Sequence, residues 1–121
     1  MFRELLAYKK AFNLALEIHE ISKKFPSEEV YSLTSQIRRS SRSVCSSVGE
    51  AYRKRVYPKH FKSKLTDADS ENSETIVWLD FSLAFKYINE ADHIRLLDQA
   101  EEVGKLIQYM INNCSKFMQK Q

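Results

Sequence analysis

Residues 93–118, HIRLLDQAEEVGKLIQYMINNCSKFM, decide the architecture. Leu96, Ala100, Val103, Ile107, Met110, Cys114 and Phe117 recur at alternating steps of four and three. That spacing keeps apolar side chains on one face of a helix and forms the seam of a bundle or coiled coil. Leu106 and Ile111 widen it. A helix with such a face must bury it against other elements, so the remaining chain has to supply partners.

Three further stretches do so. Leu5, Tyr8, Ala11, Ala15, Ile18, Ser22 and Phe25 repeat at helical steps, as do Leu33, Ile37, Val44, Val48 and Ala51. Phe61, Leu65, Ala68, Ile76, Leu79 and Leu83 mark a third face, with Trp78, Phe81, Phe85 and Ile88 beside it. The expected helices are Phe2–Lys24, Tyr31–Arg55, Pro58–Asn89 and His93–Met118. Pro26 lies in the first connection, and Pro58 suits a first helical position. Asp92 is the expected N-cap of the last helix. Gly49 inside the second helix costs about 1 kcal/mol relative to Ala. Close helix approach would explain both Gly49 and the neighbouring Ser40, Ser41, Ser43, Ser46 and Ser47. Only 2 Gly and 2 Pro occur in 121 residues, too few turn formers for a many-stranded sandwich or barrel. The expectation is an all-α, up-down-up-down antiparallel four-helix bundle, with residues 1–121 as a single domain.

Composition narrows the class. Hydrophobic residues are 43% and charged residues 29%, a soluble globular profile. No apolar run approaches the roughly 18 residues of a membrane span, and Met1-Phe2-Arg3-Glu4 lacks the order of a signal peptide. Cys45 and Cys114 make neither a disulfide framework nor a zinc motif. A reduced, cytoplasmic protein with no membrane partner is expected.

The formal charge of +3 conceals two segments of opposite sign. Residues 38–64 carry nine bases (Arg38, Arg39, Arg42, Arg53, Lys54, Arg55, Lys59, Lys62, Lys64) and one acid, Glu50. Residues 65–102 carry ten acids, Glu71 and Glu74 among them, and two bases, Lys86 and Arg95. Pairing between neighbouring helices or subunits is one use of this asymmetry. A cationic patch for phosphate backbones is the other.

The residues that would carry catalysis are sparse. A di-iron bundle needs two Glu-x-x-His motifs, and Glu90–His93 supplies one, inside an expected turn. No P-loop or Gly-x-Gly-x-x-Gly occurs, and neither cysteine has a base in a local motif. No catalytic residue, metal ligand or cofactor is expected. His19 reads as a hydrogen-bonded boundary residue. Gln36, Arg39, Ser43, Ser47 and Glu50 form a second stripe along helix two. Arg39 and Glu50 lie about 16 Å apart along a helix, so they cannot pair with each other. An exposed face explains the stripe most simply; if it is buried, each member needs a partner on another helix or subunit, and Glu71 and Glu74 are the candidates for Arg39. Arg38, Arg42 and Arg53 fall on a different flank.

Phe25-Pro26, Glu29–Ser40, Ser43-Val44 and Val48–Arg55 together resemble the signature of the 23S rRNA intervening-sequence, or S23-type, protein family. The likeness resumes at Phe61, Lys64-Leu65, Ala68, Glu71, Glu74-Thr75, Trp78-Leu79 and Tyr87-Ile88, covering nearly the whole chain. The family usually has Asn where this chain has Ser47, whose hydroxyl reaches less far. The resemblance implies a four-helix bundle assembled as a ring-like homopentamer, with no enzymatic activity. Related accessory proteins of diversity-generating retroelements bind a reverse transcriptase and nucleic acid through basic surfaces. The family name records a genomic location within 23S rRNA genes, not rRNA binding. Two functions stay open. One is an oligomeric RNA- or DNA-binding or RNP-accessory protein using Arg38, Arg42, Arg53, Lys54, Arg55, Lys59, Lys62 and Lys64. The other is a protein–protein adaptor whose opposite charges serve ring assembly.

Overall fold

The computed structural model describes residues 1–118. Four helices run through them: α1 (Leu6–Ser22), α2 (Leu33–Arg53), α3 (Pro58–Ala84) and α4 (Glu90–Asn112). Single 3-10 turns at Phe2–Glu4, Ser27–Glu29 and Cys114–Lys116 accompany them, and no strand occurs among the described residues. Each helix packs on its neighbour in chain order, and α4 closes back on α1. Side-chain pairs fix the directions. Ser22 meets Arg38 while Gly49 lies by Phe2. Glu74 meets Arg39 while Lys64 meets Glu50. His93 meets Asp80 while Gln108 meets Asp69, and Arg95 meets Glu17 while Glu102 meets Lys10. Every adjacent pair is antiparallel, so the chain is an up-down-up-down four-helix bundle.

The helix ends depart from the sequence-based boundaries for local reasons. Leu5 is extended (ψ 133°), which splits the expected first helix into a 3-10 turn and α1. The helix expected to reach Asn89 stops at Ala84. Lys86 there takes a left-handed conformation (φ 64°). Lys86 N–H donates to Leu83 O and Tyr87 N–H to Ser82 O, both at 2.9 Å. This is the paired C-terminal cap usually built on glycine, and a lysine in its place hides it from sequence reading. Asn89, not Asp92, is the N-cap of α4, and its side chain accepts from Asp92 N–H at 2.8 Å. Asp92 sits in the first turn, where its charge suits the helix dipole. α4 ends at Asn112, so Cys114 and Phe117 pack on the core from the following turn rather than from the helix.

The core has two apolar clusters. One gathers Ala7, Val48, Phe61, Leu65 and Ile107 near the α2–α3 connection. The other gathers Ile18, Phe25, Ile37, Leu79 and Leu96 towards the opposite end. Between them, the buried face of α3 carries Asn72 and Thr75, with Ser82 farther along. Buried polar groups need partners, and all but Asn72 Oδ1 have one among the described residues. Ser40 Oγ lies 2.8 Å from Thr75 Oγ1, and Asn72 Nδ2 donates to Ala100 O at 2.8 Å. Gly104 makes room for that amide, because a Cβ there would sit 3.3 Å from Asn72 Nδ2. Of the five crowded serines, Ser40 and Ser41 are buried, whereas Ser43, Ser46 and Ser47 are not.

Gly49 is different. A Cβ there would meet the Phe2 ring at an ordinary 3.5 Å. Two exchanges therefore follow from helix chemistry. Gly49→Ala fills permitted space inside a helix, and Lys86→Gly relieves a left-handed lysine. Each is expected to raise unfolding free energy by about 0.5–1 kcal/mol, as urea midpoints would register.

Candidate nucleic-acid interface

The α2–α3 connection makes a cationic corner. Residues 51–66 contain six bases and no acid. Backbone bonds from Lys54 N–H to Glu50 O and Ala51 O close α2, and Tyr57 N–H donates to Lys54 O at 2.9 Å. α3 then starts with Pro58 at its first position and no acid in its first turn; the positive end of its dipole lies beside the negative end of α2, so the side-chain cations set the charge of the corner. Arg53, Lys54, Lys59 and Lys62 are exposed, and none forms an ion pair among the described residues. Arg55 is partly buried. It donates to Tyr52 O at 2.9 Å and lies over the Tyr52 ring at 4.0 Å.

The remaining sequence-predicted cations are occupied. Arg38 Nε donates to Ser22 Oγ at 2.8 Å and Nη2 to His19 O at 3.4 Å, tying α2 to α1. Arg42 Nη2 lies 3.1 Å from His19 Nδ1. Lys64 sits between Glu50 (3.0 Å) and Asp67 (3.7 Å). The Glu50 carboxylate beside it holds its ammonium above the ordinary value. The eight cations are therefore not one continuous free patch. The corner supplies the unpaired ones, while Arg38, Arg42 and Lys64 are engaged within the fold.

The second stripe of α2 runs along the α3 edge, half-buried rather than buried. Gln36, Ser43 and Ser47 are partly covered, while Arg39 and Glu50 stay exposed. Arg39 nevertheless closes a network. Nη1 donates to Glu71 Oε2 at 3.2 Å, Nη2 to Glu74 Oε1 at 2.6 Å, and Nε to Gln36 Oε1 at 3.2 Å. Trp78 Nε1 also donates to Glu74 Oε1 at 3.2 Å. The Arg39 guanidinium holds the Glu74 carboxyl below its ordinary value of 4.5, and Trp78 adds to this against the effect of burial.

The opposite end of the bundle contrasts with the corner. There Tyr87 Oη donates to Glu29 Oε2 at 2.8 Å, joining the α3–α4 connection to the α1–α2 connection. Glu29 also accepts from Ser32 Oγ at 2.7 Å and from Leu33 N–H, so it caps α2. These bonds, Ser32 first, hold its carboxyl below the ordinary range. Residues 20–36 and 80–95 there carry six acids against four bases.

Sequence reading missed an apolar groove between α1 and α2. It has a volume of about 750 Å³, and its lining joins the apolar Phe12 and Leu16 to the charged Arg42, Glu50 and Arg53. Exposed Phe12 and Leu16, four residues apart, are its only sequence signal. Cys45 lies at its base, and burial pushes the thiol up to about 11, which keeps it protonated and unreactive. No group of three potential metal ligands occurs among the described residues. Glu90 and His93 fall at the start of α4, and His93 Nε2 faces Asp80 Oδ1 at 2.8 Å. Among the described residues no helix is long and apolar enough to cross a membrane.

Fold and surface together define a four-helix-bundle protein with one cationic end. The chain belongs to the 23S rRNA-intervening sequence protein family, whose model matches residues 3–109. It is also similar to a crystal structure of a protein of unknown function from the S23 ribosomal protein family of Bacteroides thetaiotaomicron VPI-5482. That likeness has a TM-score of 0.82 at 24% identity, covering 93% of this chain and 100% of the other. At this identity it concerns the fold. Comparison with curated proteins gives no match.

The Glu74 network predicts a pH signature. A carboxyl whose folded pKa is depressed stabilises above the unfolded value and loses that contribution as pH falls through the folded one. Glu74→Gln should lower stability near neutral pH by about 0.5–1 kcal/mol, a modest figure because the pair is partly solvated. The gap to the parent chain should close on acidification. Urea titrations across pH would show it.

Proposed function

We propose that this chain is a non-enzymatic, oligomeric nucleic-acid-binding protein, a cytoplasmic RNP accessory subunit that holds phosphate backbones at its α2–α3 corner. One observation carries this reading. Arg53, Lys54, Lys59 and Lys62 stand exposed without ion-pair partners among the described residues, while Arg38, Arg39, Arg42 and Lys64 are engaged by the fold. Folding stability does not require cations left unpaired, whereas a polyanion recruits them by releasing its counterions. Contacts to phosphates carry no sequence information, so binding through these cations is largely sequence-independent. The ring-like homopentamer that family membership suggests would repeat the corner around an axis and multiply affinity through avidity.

A second reading is favoured by the groove between α1 and α2. An apolar lining with charged residues, Arg42, Glu50 and Arg53, suits an amphipathic segment of a protein partner, which would make the chain an adaptor. The acidic flank of α3 and α4 would then serve contacts between subunits in a head-to-tail ring.

Replacing Arg53, Lys54 and Lys59 together with Ala should leave helix content intact and weaken RNA binding. The slope of log affinity against log salt should become shallower by about 2–3, because each replaced side chain leaves one phosphate with its counterion. Filter binding on nuclease-treated protein, with oligomer mass recorded, makes the measurement. An unchanged slope would remove the corner from consideration. No binding at low salt by an intact oligomer would favour the adaptor.

A further inference from the structure

The corner holds more than charge. Tyr57 is 60% exposed and belongs to neither apolar cluster. Its backbone is fixed all the same, because its N–H donates to Lys54 O and its carbonyl accepts from Phe61 N–H, both at 2.9 Å. His60, also exposed, sits edge-on to it, with ring centroids 5.8 Å apart at 74°. The nearby Tyr52 is different, since the Arg55 guanidinium already covers it at 4.0 Å. Tyr57 is therefore an open aromatic surface on a rigid backbone, flanked in sequence by Lys54 and Lys59.

We infer that Tyr57, braced by His60, is a stacking platform for one unpaired base, so that the preferred ligand of the corner is single-stranded nucleic acid. The inference rests on the nucleic-acid reading above and adds strandedness to it. A duplex keeps its base faces stacked inside and offers this corner only phosphates. A single strand offers a phosphate and, one sugar away, the face of a base. Aromatic stacking with neighbouring cations is how strands are held without sequence preference. Nothing in the core depends on the Tyr57 ring, so its removal tests the ligand and not the fold.

The experiment is fluorescence anisotropy at matched salt with three labelled probes of equal phosphate number: oligo(U), oligo(dU) and an RNA duplex. Tyr57→Ala should weaken binding of single strands by about 5- to 150-fold, the loss of one stacked base. It should leave duplex affinity unchanged. Tyr57→Phe keeps the ring and should bind as the parent does. The parent's tighter strand tells RNA from DNA as the source of the base, and loss on that strand sustains the inference. Tyr57→Ala binding single strands like the parent would overturn it. So would an equal loss on the duplex, or an equal loss in Tyr57→Phe. Parent protein that binds no probe at any salt would overturn the nucleic-acid reading and this inference together. Circular dichroism of both variants confirms that helix content is retained.

Discussion

Ser40 and Thr75 meet in the middle of the bundle at 2.8 Å, and their hydroxyl pair governs how α2 lies on α3. Sliding either helix by a turn would lose this cross-helix bond, about 0.5–1.5 kcal/mol, although Thr75 Oγ1 would keep Glu71 O at 3.0 Å and Ser40 Oγ would keep Ile37 O at 3.4 Å. Apolar contacts on either side would tolerate such a slip better, because Leu, Ile and Val can repack. At the same level but outside the core, Arg39 spans Glu71 and Glu74. The two devices set one register from inside and outside. Glu50 then falls opposite Lys64, and α2 and α3 run out together at the connection where the unpaired cations collect.

That register also divides the charge asymmetry. The basic and acidic segments lie on adjacent antiparallel helices. Where they overlap, Arg39 meets Glu71 and Glu74, and Lys64 meets Glu50 and Asp67. Beyond the overlap the bases run on without acids. Pairing between helices and a free cationic patch are thus both present, at different heights along one pair of helices. Exposed ion pairs contribute little stability individually. The contribution of the Arg39 network is better understood as choosing an alignment.

The fold was legible because its signals are periodic. The α4 stripe from Leu96 to Met110 is buried at each position named, and the four helices follow from such stripes and two prolines. The ends were less legible. Lys86 performs a cap expected of glycine, and Asn89 caps α4 in place of the expected Asp92. On α3, steps of four and three continue through Asn72, Thr75 and Ser82, but their polarity turns attention to Ile76 and Leu83, which are only partly buried. The cationic corner could be read from charge order alone. Which of the predicted cations are free could not, because Arg38 and Arg42, outside the corner, find their partners on α1, in the atoms of His19 and Ser22, at separations no local pattern encodes.

The tied and open ends also give the molecule electrical polarity. One end fastens its two connections through Tyr87 and Glu29 and carries more acids than bases. The other carries Arg53, Lys54, Lys59 and Lys62, exposed and without ion-pair partners among the described residues. A net charge of only +3 pulls weakly on a distant polyanion, but a charge separation along the bundle axis exerts a torque. Near a phosphate chain such a separation would turn the cationic end first, and on the proposed function a larger share of encounters would begin in a productive orientation. A variant with the same net charge and the two ends balanced would keep its long-range attraction and lose its aim.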